Sequence, residues 1–439
     1  MDSDQVTLQT MLQLGYAAYA RTHAVPAHVR RAVGAMLACR TALLGGHIQA
    51  CPAGHLERVW YNSCRHRMCP QCAWGQVERW LTKQKARLLA CEHYHVIFTM
   101  PHALNDLWLA NVEEMSRLLF ASVHETLVEL LGDAKYLGAK PGIIAALHTW
   151  TQTLLLHPPI HCLVRGGGLS EAGQWVAVRH GFLLPMRVVM VVFRGKLLAA
   201  IRQGLHQGQL EVPEGKRLQQ VDNLLNKLGR TKWNVHIRER YAYGQGILVY
   251  LARYLRGGPI ANRRLLAADG QQVVFAYEER AKRPGGQAKV QTMRLPLEQF
   301  LGRWWLHVPP PRAVLVRGWG LYAHTQGTPL AMCRQQLGQG PVEVPRPWDW
   351  QSACAEWGEA HPECCAVCGQ RLVCTTLIPR AGVPPPAAAD WEHVACVRDR
   401  LWERRSTPAR DWCARPRAAQ AHCRAQVLHA RPEACRSQG

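Results

Sequence analysis

A cluster of cysteines and histidines between residues 51 and 72 constrains the fold of this 439-residue chain more than any other feature. The stretch CPAGHLERVWYNSCRHRMCPQC ends in a CxxC pair, which lets one tight turn present two thiolates to a metal ion. A tetrahedral zinc ion has four places, and five side chains compete for them: Cys51, His55, Cys64, Cys69 and Cys72. A site closed by four protein ligands has no open position for a substrate, so we predict a structural zinc.

A second group of cysteines lies near the end of the chain, in the stretch CCAVCGQRLVC. Its members are Cys364, Cys365, Cys368 and Cys374. Their spacing is compatible with half of a zinc ribbon, and equally with thiols that bind no metal. The 17 cysteines of the chain are clustered, which favours metal binding over a disulfide framework.

The charge of the chain predicts a polyanionic partner. Lys and Arg number 53 against 31 Asp and Glu, a formal net charge of +22. Nucleic acid is the first expectation for such an excess, and a basic surface kept for solubility is the alternative. Arg58, Arg65, His66 and Arg67 lie among the zinc candidates, so we predict that this module binds DNA.

No segment of the sequence predicts a membrane span or a signal peptide. The first residues are acidic and polar, and the long apolar run from Phe182 contains Arg187, Arg194 and Lys196. Charges that deep are costly in a bilayer, so we predict a buried strand or helix there and a cytoplasmic protein.

The stretch HPPIHCLVRGGG contains histidines in a pattern that almost forms a metal site. Two histidines bind one metal from a strand when they are two residues apart, because alternate side chains share a face. The residue two before His161 is Pro159, whereas His157 lies two pleats away, roughly 13 Å along a strand. His157 and His161 therefore cannot bind one ion from a regular strand. We expect the glycines at 166–168 to let a DNA backbone approach closely.

Two tyrosines in the segment YLARY are candidates for chemistry. Tyr250 and Tyr254 are four residues apart, so on a helix their side chains are neighbours, about 5–6 Å apart. Taken alone, such a pair is more often packing than a catalytic feature.

Five stretches together make the sequence similar to a known family. They are the zinc candidate stretch, HVIFTMPHALN, HPPIHCLVRGGGL, FLLPMRVVMVVFRGKLLAA and YLARYLRGGPIANRRL, and they follow in family order. Over roughly residues 5–380 the chain resembles the rolling-circle transposases of the insertion-sequence ninety-one family, which are two-tyrosine HUH nucleases.

The resemblance implies an α+β fold, in which an N-terminal helical and zinc-binding module precedes an HUH-type nuclease domain with a central antiparallel sheet and flanking helices. It implies that Tyr250 and Tyr254 are the nucleophiles and that His161 is the second histidine of the metal motif, binding Mg²⁺ or Mn²⁺. The substrate implied is single-stranded DNA at the element ends and the target, cleaved and joined through 5′-phosphotyrosine intermediates.

One position departs from the family pattern, because Pro159 stands where the first metal histidine is expected. Two alternatives follow: a DNA-binding remnant with an impaired nuclease, or a replication initiator or relaxase of the same fold. Restoring histidine at position 159 is expected to raise activity. His93 and His95 have the spacing of a metal pair but occupy the family's first strand, where the motif does not normally lie. Candidates for a third ligand are His95, Gln152 and Asn262.

Composition divides the chain into five segments. We predict a helical segment at 1–38, a zinc-binding and DNA-binding domain at 39–90, an HUH-like catalytic domain at 91–335, a Cys/Pro-rich segment at 336–386 and a poorly ordered tail at 387–439. The tail is rich in Ala, Arg and Cys and resembles out-of-frame translation more than a domain.

Overall fold

The computed structural model describes residues 6–241, 244–252, 256–279, 288–343, 354 and 361–381. The chain forms two compact units, one of residues 1–32 and 67–345 and the other of residues 33–66 and 346–439. Tyr254 and the tail at 387–439 lie outside the described residues. The five segment boundaries drawn from composition stay predictions.

The described residues form ten α-helices. They are α1 (Leu8–Thr22), α2 (Ala27–Leu37), α3 (Pro70–Arg87), α4 (Asn105–Ala110), α5 (Val112–Gly132), α6 (Met186–His206), α7 (Leu218–Gly229), α8 (Gln245–Ala252), α9 (Leu297–Trp305) and α10 (Gly327–Gln336). The first begins at a capping box in which the side chains of Thr7 and Thr10 each accept the other residue's backbone N–H. Pro26 separates α1 from α2, as the sequence indicates.

Twelve strands complete the described elements. They are β1 (Gly46–Ala50), β2 (Glu57–Tyr61), β3 (His93–Thr99), β4 (Lys140–Leu147), β5 (Pro159–Leu169), β6 (Trp175–Ala177), β7 (Val235–Tyr241), β8 (Leu265–Ala268), β9 (Gln272–Glu279), β10 (Lys289–Pro296), β11 (Val316–Gly320) and β12 (Val373–Ile378).

A central antiparallel sheet organises the first unit. Its strand order is β11-β4-β5-β3-β7, with β6 paired to β5. Because successive side chains of a strand point to opposite faces, β5 places Ile160, Cys162 and Val164 in the larger apolar core with α5 and α6. Leu163 lies on the other face, in a core that α8 completes. The predicted α+β fold with a central antiparallel sheet is confirmed.

The glycines at 166–168 have a structural role in β5. All three are buried. A methyl group added at Gly167 meets the Trp175 ring at 2.3 Å, and one added at Gly168 meets the Lys140 carbonyl oxygen at 2.5 Å. Neighbouring strands therefore occupy the space that a DNA backbone would need, and the prediction of a close DNA approach at these glycines is wrong.

A smaller sheet in the first unit has the order β10-β9-β8 and packs against α9. The first helix, α1, packs on α9 at Gly15, where an added methyl group would lie 2.6 Å from Leu297.

The described part of the second unit contains one sheet, with the order β12-β1-β2. Ala50 at the end of β1 pairs with Val373 at the start of β12, although more than 300 residues separate the strands along the chain. Beside this end of the sheet lies a small apolar core of Cys51, Cys365 and Leu372 with Leu56 packed against it.

The apolar run from Phe182 forms α6, whose side chains Val189, Phe193 and Leu197 enter the main core of the first unit. Within the described residues, no helix is both long enough and apolar enough to cross a bilayer.

Candidate active site and metal-binding groups

Three histidines, two on neighbouring strands and one directly after a third strand, meet on one face of the central sheet. His161 on β5 pairs with Ile97 on β3 and with Ala146 on β4. His95 lies two residues before Ile97, and His148 lies two residues after Ala146. Since side chains two residues apart share a face, the register directs all three imidazoles to the same side of the sheet. We call His95, His148 and His161 the histidine cluster.

The rings of the histidine cluster are buried and close together. The Nε2 atom of His95 lies 2.9 Å from the Nδ1 atom of His161. The ring centroids of His148 and His161 are 4.7 Å apart, with nearly parallel planes. Only 4% of His161 and 5% of His95 are exposed, so both imidazoles lie inside the fold.

Tyr250 on α8 lies beside the histidine cluster. Its ring centroid is 5.4 Å from that of His95 and 5.3 Å from that of His161. The helix is held on this face by the apolar side chains of Ile247, Leu248 and Leu251, which pack into the same core as Leu163 of β5. A phenol thus lies next to imidazoles drawn from two strands. Tyr254 lies outside the described residues.

The imidazoles of His95 and His161 fit two ligand positions of a divalent cation. Two ligands at adjacent corners of an octahedron, each about 2.1 Å from the ion, are about 3.0 Å apart. The separation between the nitrogens of His95 and His161 matches that value. Because Mg²⁺ strongly prefers oxygen, a transition-metal cation such as Mn²⁺ suits imidazole ligands better.

The other ligand candidates have other partners. The side-chain oxygen of Asn262 accepts the backbone N–H of Leu8 at 3.1 Å. Gln152 is exposed, and its backbone carbonyl accepts from Arg264. His157 contacts His102 at a ring distance of 5.1 Å, while its backbone N–H donates to Thr149.

His148 is the member of the histidine cluster that sequence reasoning missed. The available signal was the apolar run IIAAL that ends in this histidine. Such a run predicts a strand, but only the register with β5 reveals that its last side chain meets His161.

His93 lies on the same strand and face as His95, but its ring contacts other parts of the fold. Its Nδ1 lies 2.9 Å from the Cys91 carbonyl oxygen, and its Nε2 lies 2.7 Å from the Tyr322 hydroxyl. Burial, together with the nearby Arg165 charge, lowers the pKa of His93 to about 4. The guanidinium of Arg165 is fully buried and lies 4.5 Å from the centre of the Tyr322 ring.

The cysteines fall into two groups with metal-ligand geometry among the described residues. The first cysteine group consists of Cys39, Cys64, Cys69 and Cys72, each of which offers one sulfur ligand. Cys69 is the N-cap of α3 and Cys72 lies in its first turn, which brings the CxxC thiolates together. Cys39 was not among the sequence candidates.

The second cysteine group contains Cys51, His55, Cys365 and Cys368, whose ligand atoms also lie within 4.8 Å of one another. The structure thus distributes the five zinc candidates over two groups. Of the segment CCAVCGQRLVC, only Cys365 and Cys368 belong to this group; Cys364 and Cys374 do not.

Two of the basic side chains near the zinc candidates are engaged within the protein. Arg58 lies over the Trp60 ring at 4.7 Å and donates to the Pro362 carbonyl. Arg67 donates to the Ala313 carbonyl at 2.8 Å. Their guanidinium groups therefore have structural contacts, whatever their part in binding DNA.

Comparison with known proteins identifies two transposase domains along the chain. Residues 11–100 match the family described as "Transposase zinc-binding domain", and residues 142–329 match the family described as "Putative transposase". The first match includes every member of the first cysteine group, and the second includes His148, His161 and Tyr250. No solved structure matches the chain significantly.

Two curated relatives match most of the chain. One is the "Putative transposase y4qJ" of Sinorhizobium fredii, 34% identical over 370 residues that cover 82% of this chain and 92% of the relative. Another is the "Transposase for insertion sequence element IS801" of Pseudomonas savastanoi pv. phaseolicola, 30% identical over 350 residues that cover 78% and 82%. With a zinc-binding transposase domain, a transposase domain and these relatives, the chain belongs to the insertion-sequence ninety-one family of transposases.

Proposed function

We propose that this transposase cleaves and rejoins single-stranded DNA at the ends of its element through a 5′-phosphotyrosine bond to Tyr250. The observation that carries the proposal is the approach of His95 and His161 to 2.9 Å beside the Tyr250 ring. The proposed nucleophile and the proposed metal ligands are therefore neighbouring side chains, and strand transfer requires such proximity.

The chemical step exchanges one phosphodiester for another. The phenol oxygen of Tyr250 bonds to phosphorus, and the bond from phosphorus to the 3′-oxygen breaks. The freed 3′-oxygen takes up a proton, while the phenol proton leaves to water or to an imidazole that holds no metal. Because the tyrosyl phosphodiester conserves the bond energy, rejoining needs no nucleotide cofactor. Tyr254 is proposed as the second nucleophile, which would accept the other strand.

The histidine cluster would hold the catalytic cation through His95 and His161, with His148 beside them. A bound Mn²⁺ or Mg²⁺ supplies charge that stabilises the phosphate oxygens in the transition state. The protein's own contribution is to bury the imidazoles on a rigid sheet, so that their positions do not depend on a loop.

In this arrangement, a proline at position 159 is compatible with an active nuclease. His95 lies on β3, next to β5, and its imidazole approaches His161, so the proposed metal site does not depend on a second histidine within β5. This geometry favours an active transposase over the remnant.

The first cysteine group has a separate, structural role in the proposal. The CxxC thiolates of Cys69 and Cys72 would hold a structural zinc ion, and a zinc site closed by four protein ligands has no open position for a substrate. A metal site that forms only in the folded chain stabilises the fold, so removal of the zinc by a chelator is expected to destabilise the protein. The zinc itself takes no direct part in cleavage in this proposal.

The test is a cleavage assay with the DNA strands that flank the gene of this chain. The oligonucleotides carry a label at the 3′ end, since the 5′-phosphotyrosine bond retains the downstream fragment. In Mn²⁺, wild-type protein should give a labelled band that survives denaturation, and Tyr250→Phe together with Tyr254→Phe should abolish it.

His161→Ala and His95→Ala should each lower adduct formation by about 10²-fold, by analogy with lost metal-site contacts. His157→Ala is the matched control, because this histidine lies in the same segment but contacts His102. Equal loss in the control and in His161→Ala would overturn the assignment, as would adducts formed by the double tyrosine variant.

A further inference from the structure

The second cysteine group is built from two short turns. The first runs from Cys51 to His55: the Cys51 carbonyl accepts the Gly54 N–H at 2.9 Å, and Gly54 has a φ of 75°. The second runs from Cys365 to Gly369: the Cys365 carbonyl accepts the Gly369 N–H at 2.8 Å, and Gly369 also has a φ of 75°. Both turns use glycine where the backbone is left-handed, so neither glycine is readily replaced.

Distances within the second cysteine group match a zinc tetrahedron. Zinc bonds of about 2.3 Å to sulfur and 2.0–2.1 Å to nitrogen imply about 3.8 Å between two sulfurs and about 3.5 Å between sulfur and nitrogen. The Cys51 and Cys368 sulfurs are 3.4 Å apart, and the Cys51 sulfur lies 3.7 Å from His55 Nδ1. The backbone N–H of Val367 points to the Cys365 sulfur at 3.4 Å, an interaction that favours a thiolate.

The position of this group in the second unit indicates what it does. Cys51 follows the last residue of β1, and Leu372 precedes the first residue of β12. Among the described residues, the adjacent core contains Cys51, Cys365 and Leu372 with Leu56 against it. So small an apolar cluster adds little to the β1–β12 pairing that joins two distant chain segments, and a metal ion or a disulfide often stabilises small cores of this kind.

We propose that Cys51, His55, Cys365 and Cys368 bind a zinc ion of their own, which fastens the segment 361–381 to the β1–β2 hairpin. Three thiolates and one imidazole in tetrahedral arrangement select zinc among the common cations. The zinc-binding region therefore extends beyond residues 11–100, the range of the family match, to a partner segment near residue 365. This inference does not rest on the strand-transfer activity.

The test measures zinc per chain in full-length protein purified under reducing conditions and dialysed against a mild chelator. Cys368→Ser should fall one zinc equivalent below the wild type, and so should His55→Ala, because each removes one ligand at an exposed position. Cys374→Ser is the matched control: it lies six residues from Cys368, is also exposed, and stands outside the group. It should keep the wild-type zinc content.

Cobalt substitution distinguishes a lost site from a misfolded protein. Wild-type protein in which Co²⁺ replaces zinc should show absorption from cobalt bound to thiolates. The Cys368→Ser variant should lose part of this absorption and keep as much as the His55→Ala variant keeps. Complete loss in the Cys374→Ser control, or equal zinc in all variants, would overturn the proposal. A Cys51–Cys368 disulfide in reduced, zinc-supplied protein would overturn it as well.

Discussion

The side chain at position 159 lies on the same sheet face as His161, because the two residues are two apart on β5. Leu147, the last residue of β4, pairs with Ile160, and His148 follows it directly. The His148 ring lies 4.7 Å from that of His161, so this imidazole is near the region that a histidine at 159 would occupy. Pro159 also begins β5, where the missing N–H of proline does little harm.

We therefore expect Pro159→His to leave strand cleavage within about threefold of wild type, since His95 on β3 already lies 2.9 Å from His161 and would supply the second imidazole. This differs from the expectation drawn from the sequence alone, in which the change raises activity. The measurement is the initial rate of adduct formation against Mn²⁺ concentration. A rise of tenfold or more would show that His95 and His161 do not complete the metal site.

His148→Ala should raise the Mn²⁺ concentration needed for half-maximal cleavage by about 10- to 100-fold, as other losses around metal sites do. In that background, Pro159→His should recover part of the affinity, because the two positions face each other across the strand pair. Recovery of metal affinity in the double variant would show that the His148→Ala protein had lost a side chain and not its fold. Failure of Pro159→His to improve the His148→Ala protein would contradict the shared location.

The residues found from sequence and those missed differ in how local their signals are. The CxxC of Cys69 and Cys72 is a local turn, so spacing alone identifies it. Cys39, His148 and the partnership of Cys51 with Cys365 depend on contacts between distant segments. His161 and Tyr250 were found by resemblance, whereas the approach of His95 to His161 required the register of β3 on β5. Long-range register is not encoded in any short window of sequence.

At the scale of elements, the strand β5 depends on its glycines for close packing. Gly167→Ala should destabilise the first unit by about 1–3 kcal/mol, because the new methyl group overlaps the Trp175 ring and the Val176 carbonyl. The matched control is Gly195→Ala on α6, where an added methyl group meets nothing within 4 Å. That change should stabilise by about 0.5–1 kcal/mol through helix propensity. Urea unfolding followed by tryptophan fluorescence measures both, and a neutral Gly167→Ala would contradict the packing role.

The strand β3 should make the first unit sensitive to acid. The pKa of His93 is lowered to about 4 in the fold, below the ordinary value of 6.5, chiefly because the ring is buried. Between these two pH values the unfolded chain binds one more proton than the folded chain. The contribution of His93 to the free energy of unfolding is therefore complete above about pH 6.5 and is lost as the pH falls towards 4. The slope in this window approaches about 1.4 kcal/mol per pH unit for one group.

His93→Gln removes that titration while keeping a polar side chain near Tyr322 and the Cys91 carbonyl. We expect the variant to be less stable than wild type at pH 7 but to lose less stability between pH 6.5 and 4.5. Both proteins release zinc in acid, so the difference between their unfolding free energies isolates His93. Parallel pH profiles would show that His93 is not held neutral by the fold.

At the scale of the whole molecule, 53 basic side chains outnumber 31 acidic ones, which gives the net charge of +22. Some cations are used internally, as Arg67 is on the Ala313 carbonyl and Arg165 is on the Tyr322 ring. The surplus remains large after such residues are set aside. An excess of this size produces a long-range positive potential, which attracts a polyanion and is screened by salt.

Binding to single-stranded DNA should therefore weaken steeply as salt is added. Each neutralised phosphate releases counterions, and for single strands the slope of log K against log salt is about −0.7 for each phosphate contacted. Contacts to about 6–10 phosphates predict a slope of about −4 to −7. Fluorescence anisotropy of a labelled flanking strand, measured in EDTA so that divalent cations do not compete, gives the slope directly. The zinc content of the protein is measured in parallel, because a chain unfolded by loss of zinc to EDTA would still be basic and would still bind DNA. A slope near zero would mean that the charge serves solubility and that DNA binds through uncharged contacts.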